Sequence, residues 1–281
     1  MIIPFTKMEG AGNDYVYVNT FKVDLPKERL PEIARIVSDR HFGIGSDGLI
    51  LISPSNEADA QMRMFNMDGS ESEMCGNGIR CVAKYVHDHK LVNGLSTSIE
   101  TLAGIKYIDM FIGDDRKVNK ARVNMGEPKF ESTDFPYSWN NNSGYELSAG
   151  GNKYKAYCVS MGNPHAIIFV DNVDDFDVDR VGRILESHPV FPNKSNIEFV
   201  EVVSEELIKM RVYERGSAET LACGTGACAT AVACITLGLA NERVDIKLLG
   251  GKLTIEYSEN SNVVMTGPCT EVFNGEIEIN L

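Results

Sequence analysis

The chain has 281 residues, 43% of them hydrophobic, and a formal net charge of −13 at neutral pH. That length allows two domains, each with its own core, and the acidic balance argues against nucleic acid or an anionic membrane as partner, since both need basic patches. Seven cysteines without a disulfide-rich layout point to a reducing cytoplasm, where the acceptor sequence Asn193-Lys194-Ser195 would stay unglycosylated.

In chain order, Met1-Ile2-Ile3-Pro4-Phe5 lacks the basic and apolar regions of a signal peptide. Gly12-Asn13 precedes a strand-like run, Tyr15 to Val18, and Leu30, Ile33, Ala34 and Val37 form the apolar stripe of an amphipathic helix. Strands are expected over Leu49-Ile52 and up to Phe65. A helix then opens at Cys75-Gly76-Asn77-Gly78, burying Ile79, Val82, Ala83 and Val86. Strands around Ile99 to Met110, joined at Ala103-Gly104, close this region. Ser138 to Gly144 is polar and turn-prone, and is expected to be a surface loop.

The series then repeats. Gly162-Asn163 precedes Ala166 to Val170; Val178, Val181, Gly182 and Leu185 make a second stripe; Ile197-Val200 and a run ending at Tyr213 match the earlier strands. Cys223-Gly224-Thr225-Gly226 opens a helix that is apolar on nearly every side. The apolar stretch Ala227 to Ala240, broken by Thr230, Thr236 and Gly238, is too short to span a bilayer and reads as a core helix. Strands around Asp245 to Tyr257, joined at Gly250-Gly251, follow, and Val272 to Ile279 alternates like a strand that returns to the first copy.

The two cysteines lie 148 residues apart, and over 62–83 and 210–231 the copies share seven identities in 22 positions. Unrelated sequence would give roughly one or two. The chain is therefore read as duplicated, with copies running roughly from Ile3 to Pro128 and from Tyr154 to Pro268. The expected fold is α/β: two pseudo-symmetric lobes, each a mostly antiparallel or mixed β-sheet curled around a central helix. The expected domains are 1–125 plus 270–281, carrying Cys75, and 126–269, carrying Cys223. Matching lobes imply a cleft between them.

A thiol at a helix N-terminus meets the positive end of the dipole and unpaired amides, which lowers its pKa. The glycines after it let a ligand carboxylate approach those amides. Two such thiols on opposite faces of an α-carbon could remove and return a proton with inversion. For one Cys-Gly-x-Gly step alone, tight helix packing is the commoner meaning. The divergence around the matched thiols weighs against it: Asn66-Met67 becomes Glu214-Arg215, and Asp14-Tyr15 becomes Pro164-His165. An arginine there could hold a second carboxylate in a bidentate grip. A two-lobed amino-acid binding protein and a Cys–His hydrolase using His165 are the other readings; the hydrolase leaves one thiol unexplained.

On these residues the chain resembles the diaminopimelate epimerase family over its whole length. The signatures are Gly10-Ala11-Gly12-Asn13-Asp14, Phe65-Asn66-Met67-Asp68-Gly69-Ser70, Met74 to Arg80, Gly162-Asn163-Pro164-His165, Asn193-Lys194-Ser195-Asn196, Tyr213-Glu214-Arg215-Gly216 and Ala222 to Gly226. The resemblance implies cofactor-free interconversion of LL- and meso-diaminopimelate for lysine and peptidoglycan synthesis, by a homodimer in the cytoplasm. It implies Cys75 as proton donor and Cys223 as acceptor, exchanging with direction. It also implies that His165 and Glu214 tune the thiols. Asn13, Asn66, Gly76, Asn77, Asn163, Asn196, Glu214, Arg215, Gly224 and Thr225 would bind substrate. One departure is Gly48, where many relatives carry Gln, so a substrate contact is expected to be lost or taken over by water. The related proline racemases and hydroxyproline epimerases would keep the fold and change the substrate; Arg215 and the asparagines favour a longer substrate with a second zwitterionic head.

Other groups read as structural. Cys81, Cys228 and Cys234 fall on helices, Cys158 in a strand and Cys269 near the lobe junction. His87-Asp88-His89 reads as a polar helix end, His41 and His188 as turn or cap residues, and Glu71 and Glu219 as braces of the loop before each cysteine. No metal and no cofactor is expected: no phosphate-binding glycine loop, dinucleotide fingerprint or pyridoxal-lysine context stands out.

Overall fold

The computed structural model describes residues 1–281, the side chain of residue 141 excepted. The chain divides into two compact units, Met1–Val123 with Gly267–Leu281, and Asn124–Thr266.

The first unit opens with a hairpin, β1 (Ile2–Gly10) and β2 (Asn13–Asn19), followed by α1 (Leu30–Ser38). Pro31 lies in the first turn of α1, where its missing N–H costs nothing. Leu30, Ile33, Ala34 and Val37, the expected stripe, are buried, each larger side chain contributing about 1.5–3 kcal/mol. Next come β3 (Gly48–Ser53), β4 (Ala60–Asn66), the two-residue β5 (Glu71–Ser72) and α2 (Gly76–Asp88), then β6 (Ser96–Thr101), β7 (Gly104–Ile112) and β8 (Val118–Gly126). From its first residue to Val86, α2 is buried, packed against β1, β2, β4, β6 and β7. A polar helix start survives there because it caps itself.

The second unit repeats this plan. It contains β9 (Tyr145–Ala149), β10 (Asn152–Ser160), β11 (Pro164–Phe169), α3 (Val178–Glu186), β12 (Asn196–Ser204), β13 (Leu207–Glu214) and β14 (Ala218–Thr220). It continues through α4 (Gly224–Thr236), β15 (Arg243–Lys247), β16 (Lys252–Glu256) and β17 (Val263–Pro268). Asp177 caps α3 by accepting from the N–H of Arg180 at 3.3 Å. Residues Ala227 to Cys234 of α4 are buried on all sides by β10 to β13, β15 and β16.

Strand directions match step for step. In the second unit the order β9-β10-β11-β12-β13-β15-β16-β17 is antiparallel except for the parallel pairs β11–β12 and β13–β15. In the first, β1-β2-β3-β4-β6-β7-β8 is antiparallel except for β2–β3 and β4–β6. The place of β9 is taken there by a strand from the far end of the chain, β18 (Thr270–Glu278), antiparallel to β1 with a register shift at Lys7/Met8.

One expectation needs correction. The stretch 138–144 is not simply a surface loop. Ser138 and Trp139 are buried: the Ser138 hydroxyl accepts from the N–H of Cys158 at 2.7 Å, and the Trp139 indole donates to the Cys158 carbonyl at 2.7 Å. An indole cannot be left in water when a pocket and an acceptor are available. Asn140–Asn142 form a single 3-10 turn beyond this anchor, and the side chain of Asn141 lies outside the described residues.

Candidate functional site

Both cysteines occupy the same local geometry. Cys75 is the N-cap of α2, extended at φ −128° and ψ 120°, and its Sγ accepts from the N–H of Gly78 at 3.4 Å. Cys223 is the N-cap of α4, at φ −121° and ψ 112°, with its Sγ on the N–H of Gly226 at 3.4 Å. A sulfur thus does what a serine or aspartate oxygen usually does at this position. The first-turn N–H groups of each helix point out of its N-terminus, where the helix dipole favours an anion.

Around Cys75 the polar residues form one network. The thiol donates to Asn13 Oδ1 at 3.4 Å, and Asn13 Nδ2 donates to Asp47 Oδ2 at 2.6 Å. Arg40 bridges Asp47 and Asp14, each at 2.8 Å, and Lys7 closes on Asp14 from the other side. Burial and the neighbouring charge of Asp14 push the Asp47 carboxyl up. Burial acts the same way on Asp14, but its bonds to Arg40 and Lys7 outweigh it and hold that carboxyl below the ordinary range. Asn77 is buried, and its Oδ1 accepts from Arg80 at 2.9 Å. Arg80, wholly buried, also donates to the carbonyls of Gly76 at 3.0 Å and Pro268 at 3.2 Å. Asn66 ends β4 with its side chain on Ser70 Oγ at 3.0 Å, and its backbone opposes Gly48. A Cβ at Gly48 would stand 2.1 Å from the Phe65 carbonyl oxygen and 2.8 Å from the Tyr15 ring, so the β3–β4 approach leaves no room for a glutamine there.

Around Cys223 the network differs. Thr225 Oγ1 lies 3.5 Å from the sulfur, Asn163 Nδ2 donates to Thr225 Oγ1 at 3.3 Å, and Asn163 Oδ1 meets His165 Nε2 at 3.0 Å. The other ring nitrogen of His165, Nδ1, is 2.7 Å from Glu198 Oε1, and both residues are fully buried. Burial pushes the Cys223 thiol well above its ordinary range, with the Glu214 charge adding to the shift against the Thr225 hydroxyl and the Gly226 N–H. A helix start alone predicts the reverse; desolvation of the charged form outweighs it. His165 does not touch the sulfur and reaches it through two other side chains.

Asn196 is buried, donating to the Pro164 carbonyl at 2.9 Å and accepting from the N–H of Arg215 at 2.9 Å, which fixes the turn after β13. The Arg215 side chain is exposed and reaches the Asn193 carbonyl at 3.4 Å; Glu214 is held by the hydroxyl of Thr220. Glu71 and Glu219 brace their loops through paired bonds to Arg63 and Arg211, Nε to Oε1 at 2.7 Å in both units. Cys81 is pushed up to about 11, and Cys158, Cys234 and Cys269 to about 12, each chiefly by burial, so these thiols are packing residues at neutral pH. No cluster of three or more His, Cys, Asp or Glu side chains fit to hold a metal occurs among the described residues.

Two functional-looking residues lie outside the expected set, Arg80 and Glu198. A comparison of the copies could have found both, because Arg80 is the counterpart of Cys228 and Glu198 of Ile50. A charge in only one of two otherwise matching buried positions is a signal that motif reading passes over.

The duplicated α/β fold is one shared with solved epimerases, racemases and phenazine biosynthesis proteins. The solved hydroxyproline epimerase of Agrobacterium vitis superposes with a TM-score of 0.68 at 12% identity, covering 98% of this chain and 91% of that one. A phenazine biosynthesis protein of the PhzF family from Bacillus anthracis does so with a TM-score of 0.72 at 18% identity, covering 99% and 100%. The sequence profile described as diaminopimelate epimerase matches residues 5–131 and 157–272. A relative named diaminopimelate epimerase, from Agathobacter rectalis, is 54% identical over 98% of this chain and 99% of its own. The chain belongs to the diaminopimelate epimerase family.

Proposed function

We propose that this protein interconverts LL- and meso-2,6-diaminopimelate without a cofactor, using Cys75 and Cys223 as an acid–base pair on opposite faces of one α-carbon. The observation that carries the reading is the duplicated cap: in both copies a cysteine sulfur sits on the third N–H of a 13-residue buried helix at 3.4 Å. One thiolate takes the α-proton, the bonding pair stays on carbon, and the opposite thiol delivers its own proton to the other face. The two sulfurs exchange protonation states in each turnover. First-turn amides at Gly76, Asn77, Gly224 and Thr225 hold the α-carboxylate and stabilise the charge that develops beside it.

Asn13, Asn66, Asn163, Asn196, Glu214 and Arg215 are the groups for the rest of the substrate. Arg215 suits the distal carboxylate: its backbone is pinned by Asn196 while its guanidinium is exposed. His165 and Glu214 are the proposed tuning groups for the thiols. The functional halves are 1–125 with 270–281 and 126–269. Among the described residues no helix is long and apolar enough to cross a membrane. A cytoplasmic homodimer is the proposed setting on the family resemblance alone.

The test is turnover of LL-diaminopimelate in deuterated water. The expected result is deuterium at the α-carbon of the meso product and its gradual entry into recovered LL isomer. Absence of exchange in both directions overturns the reading.

A further inference from the structure

The two capping cysteines are each served by an asparagine, and the two amides point opposite ways. Asn13 turns its carbonyl to the Cys75 thiol and its NH2 to Asp47. Asn163 turns its NH2 toward Thr225, the neighbour of Cys223, and its carbonyl to His165. Nothing in the Gly-Asn motif shared by the copies accounts for the reversal. What differs is the group behind each amide, an acceptor carboxylate in one unit and a histidine in the other.

Proton counting fixes what that histidine must be. Nε2 of His165 faces the Asn163 carbonyl, which brings no proton, so the ring nitrogen supplies it. Nδ1 faces Glu198 Oε1 at 2.7 Å, a contact that needs a second proton, shared between ring and carboxyl. The pair therefore carries no net charge wherever that proton sits, which suits two side chains that are 0% exposed. Glu198 Oε2 has no hydrogen-bond partner among the described residues, so a full negative charge would be stranded there. With its carbonyl taken, Asn163 donates forward; the Thr225 hydroxyl, having accepted, has its own proton to give to Cys223 Sγ at 3.5 Å. The Gly226 N–H gives another.

Space for the device is specific to this unit. A Cβ at Gly226 would stand 2.7 Å from Glu198 Oε1, as one at Gly78 would stand 2.6 Å from Ile50 Cδ1. The same niche under the helix start thus holds an acid in one copy and a hydrocarbon in the other. Among the described contacts, the ionisable groups that face Cys223 are Glu214 from β13 and the net-neutral pair of Glu198 from β12 and His165 from β11, with Cys158 from β10 on the far side of Glu198.

We infer that Glu198 is a positioning residue: through His165 and Asn163 it orients Thr225 as a hydrogen-bond donor to Cys223, holding that sulfur as an acceptor while Asn13 holds Cys75 as a donor. The inference rests on Cys223 being one of the two reacting groups. The experiment is the pH dependence of Cys223 alkylation by iodoacetamide in the full chain without substrate, followed by the mass of the peptide carrying that residue. Three variants are compared with the parent. Glu198→Ile installs the residue of the other copy. Glu198→Gln can still donate to Nδ1 and leave the Nε2 proton on Asn163. Thr225→Val removes the last donor.

Because the His165–Glu198 pair carries no net charge, Glu198→Ile removes the orienting chain without removing a repelling charge. Glu198→Ile and Thr225→Val should therefore each raise the alkylation midpoint, lowering the rate below it about tenfold, the loss of one charge-assisted bond. Glu198→Gln should return most of that rate. An unmoved midpoint in Glu198→Ile, or one displaced as far in Glu198→Gln, overturns the inference. Should Glu198→Ile not fold, an unmoved midpoint in Thr225→Val overturns it equally. Failure of deuterium exchange with diaminopimelate would remove the epimerase reading and leave this alkylation series to stand or fall by itself.

Discussion

The first and second units share strand order, strand direction and the cysteine cap, and differ in what lies beneath the cap. Under α2 the buried ion is a cation: Arg80 binds the Gly76 carbonyl and Asn77 from inside the helix start. Under α4 the position of Arg80 is Cys228, and the buried ionisable groups are Glu198 and His165. Duplication kept the elements that aim the thiols, and the layer behind them diverged: a buried cation lies under one cap and a buried acid–histidine pair under the other.

The strongest way to break the comparison is at the sulfurs themselves. Cys75→Ser and Cys223→Ser should each cut epimerisation kcat by about 10²–10⁴-fold, the range of a lost general acid or base. A single variant turning over at the parent rate would sink the two-base scheme. Next is the exchange of niches. Ile50→Glu places a carboxyl beneath Gly78 where the counterpart of His165 is Tyr15, so it should lose about 3–5 kcal/mol of unfolding free energy in urea. A loss under 1 kcal/mol would mean that the first unit tolerates the acid and that the asymmetry is incidental. Arg80→Met keeps the packing volume but leaves three acceptors without their donor, for about 1–3 kcal/mol; a neutral result would deny Arg80 its clamping role. The smallest effects belong to the arginine braces, whose carboxylate pair the units share. Arg63→Ala should cost about 0.2–1 kcal/mol, the range of a partly exposed bidentate pair, and Arg211→Ala more, about 1–3 kcal/mol, because Arg211 also donates to the carbonyls of Val173, Asp174 and Phe176. Equal costs would show that those added bonds contribute nothing.

Much of this was legible in the residues. The 148-residue repeat, the helix stripes at Leu30 and Val178, and the thiols at two helix starts follow from spacing alone. The central place of α4 was readable because it is apolar on every side. Parallel pairing of β2 with β3 and of β11 with β12 was not, since a buried strand reads alike in either direction. Glu198 escaped because a single acid in Asn196-Ile197-Glu198-Phe199-Val200 looks like the outward residue of an alternating strand; only the fold shows that both faces are covered. Trp139 hid within a run of asparagines that signalled a loop. The high pKa of Cys223 could not be read either, because desolvation depends on neighbours far along the chain.

The pairing of β18 with β1 bears on how the protein is made. During synthesis the second unit has every one of its strands in hand before residues 270–278 leave the ribosome, whereas β1 waits with a bare edge for its partner. The half translated first is therefore the half completed last, and the nascent chain must keep an open sheet margin from sticking to its neighbours until the closing strand arrives.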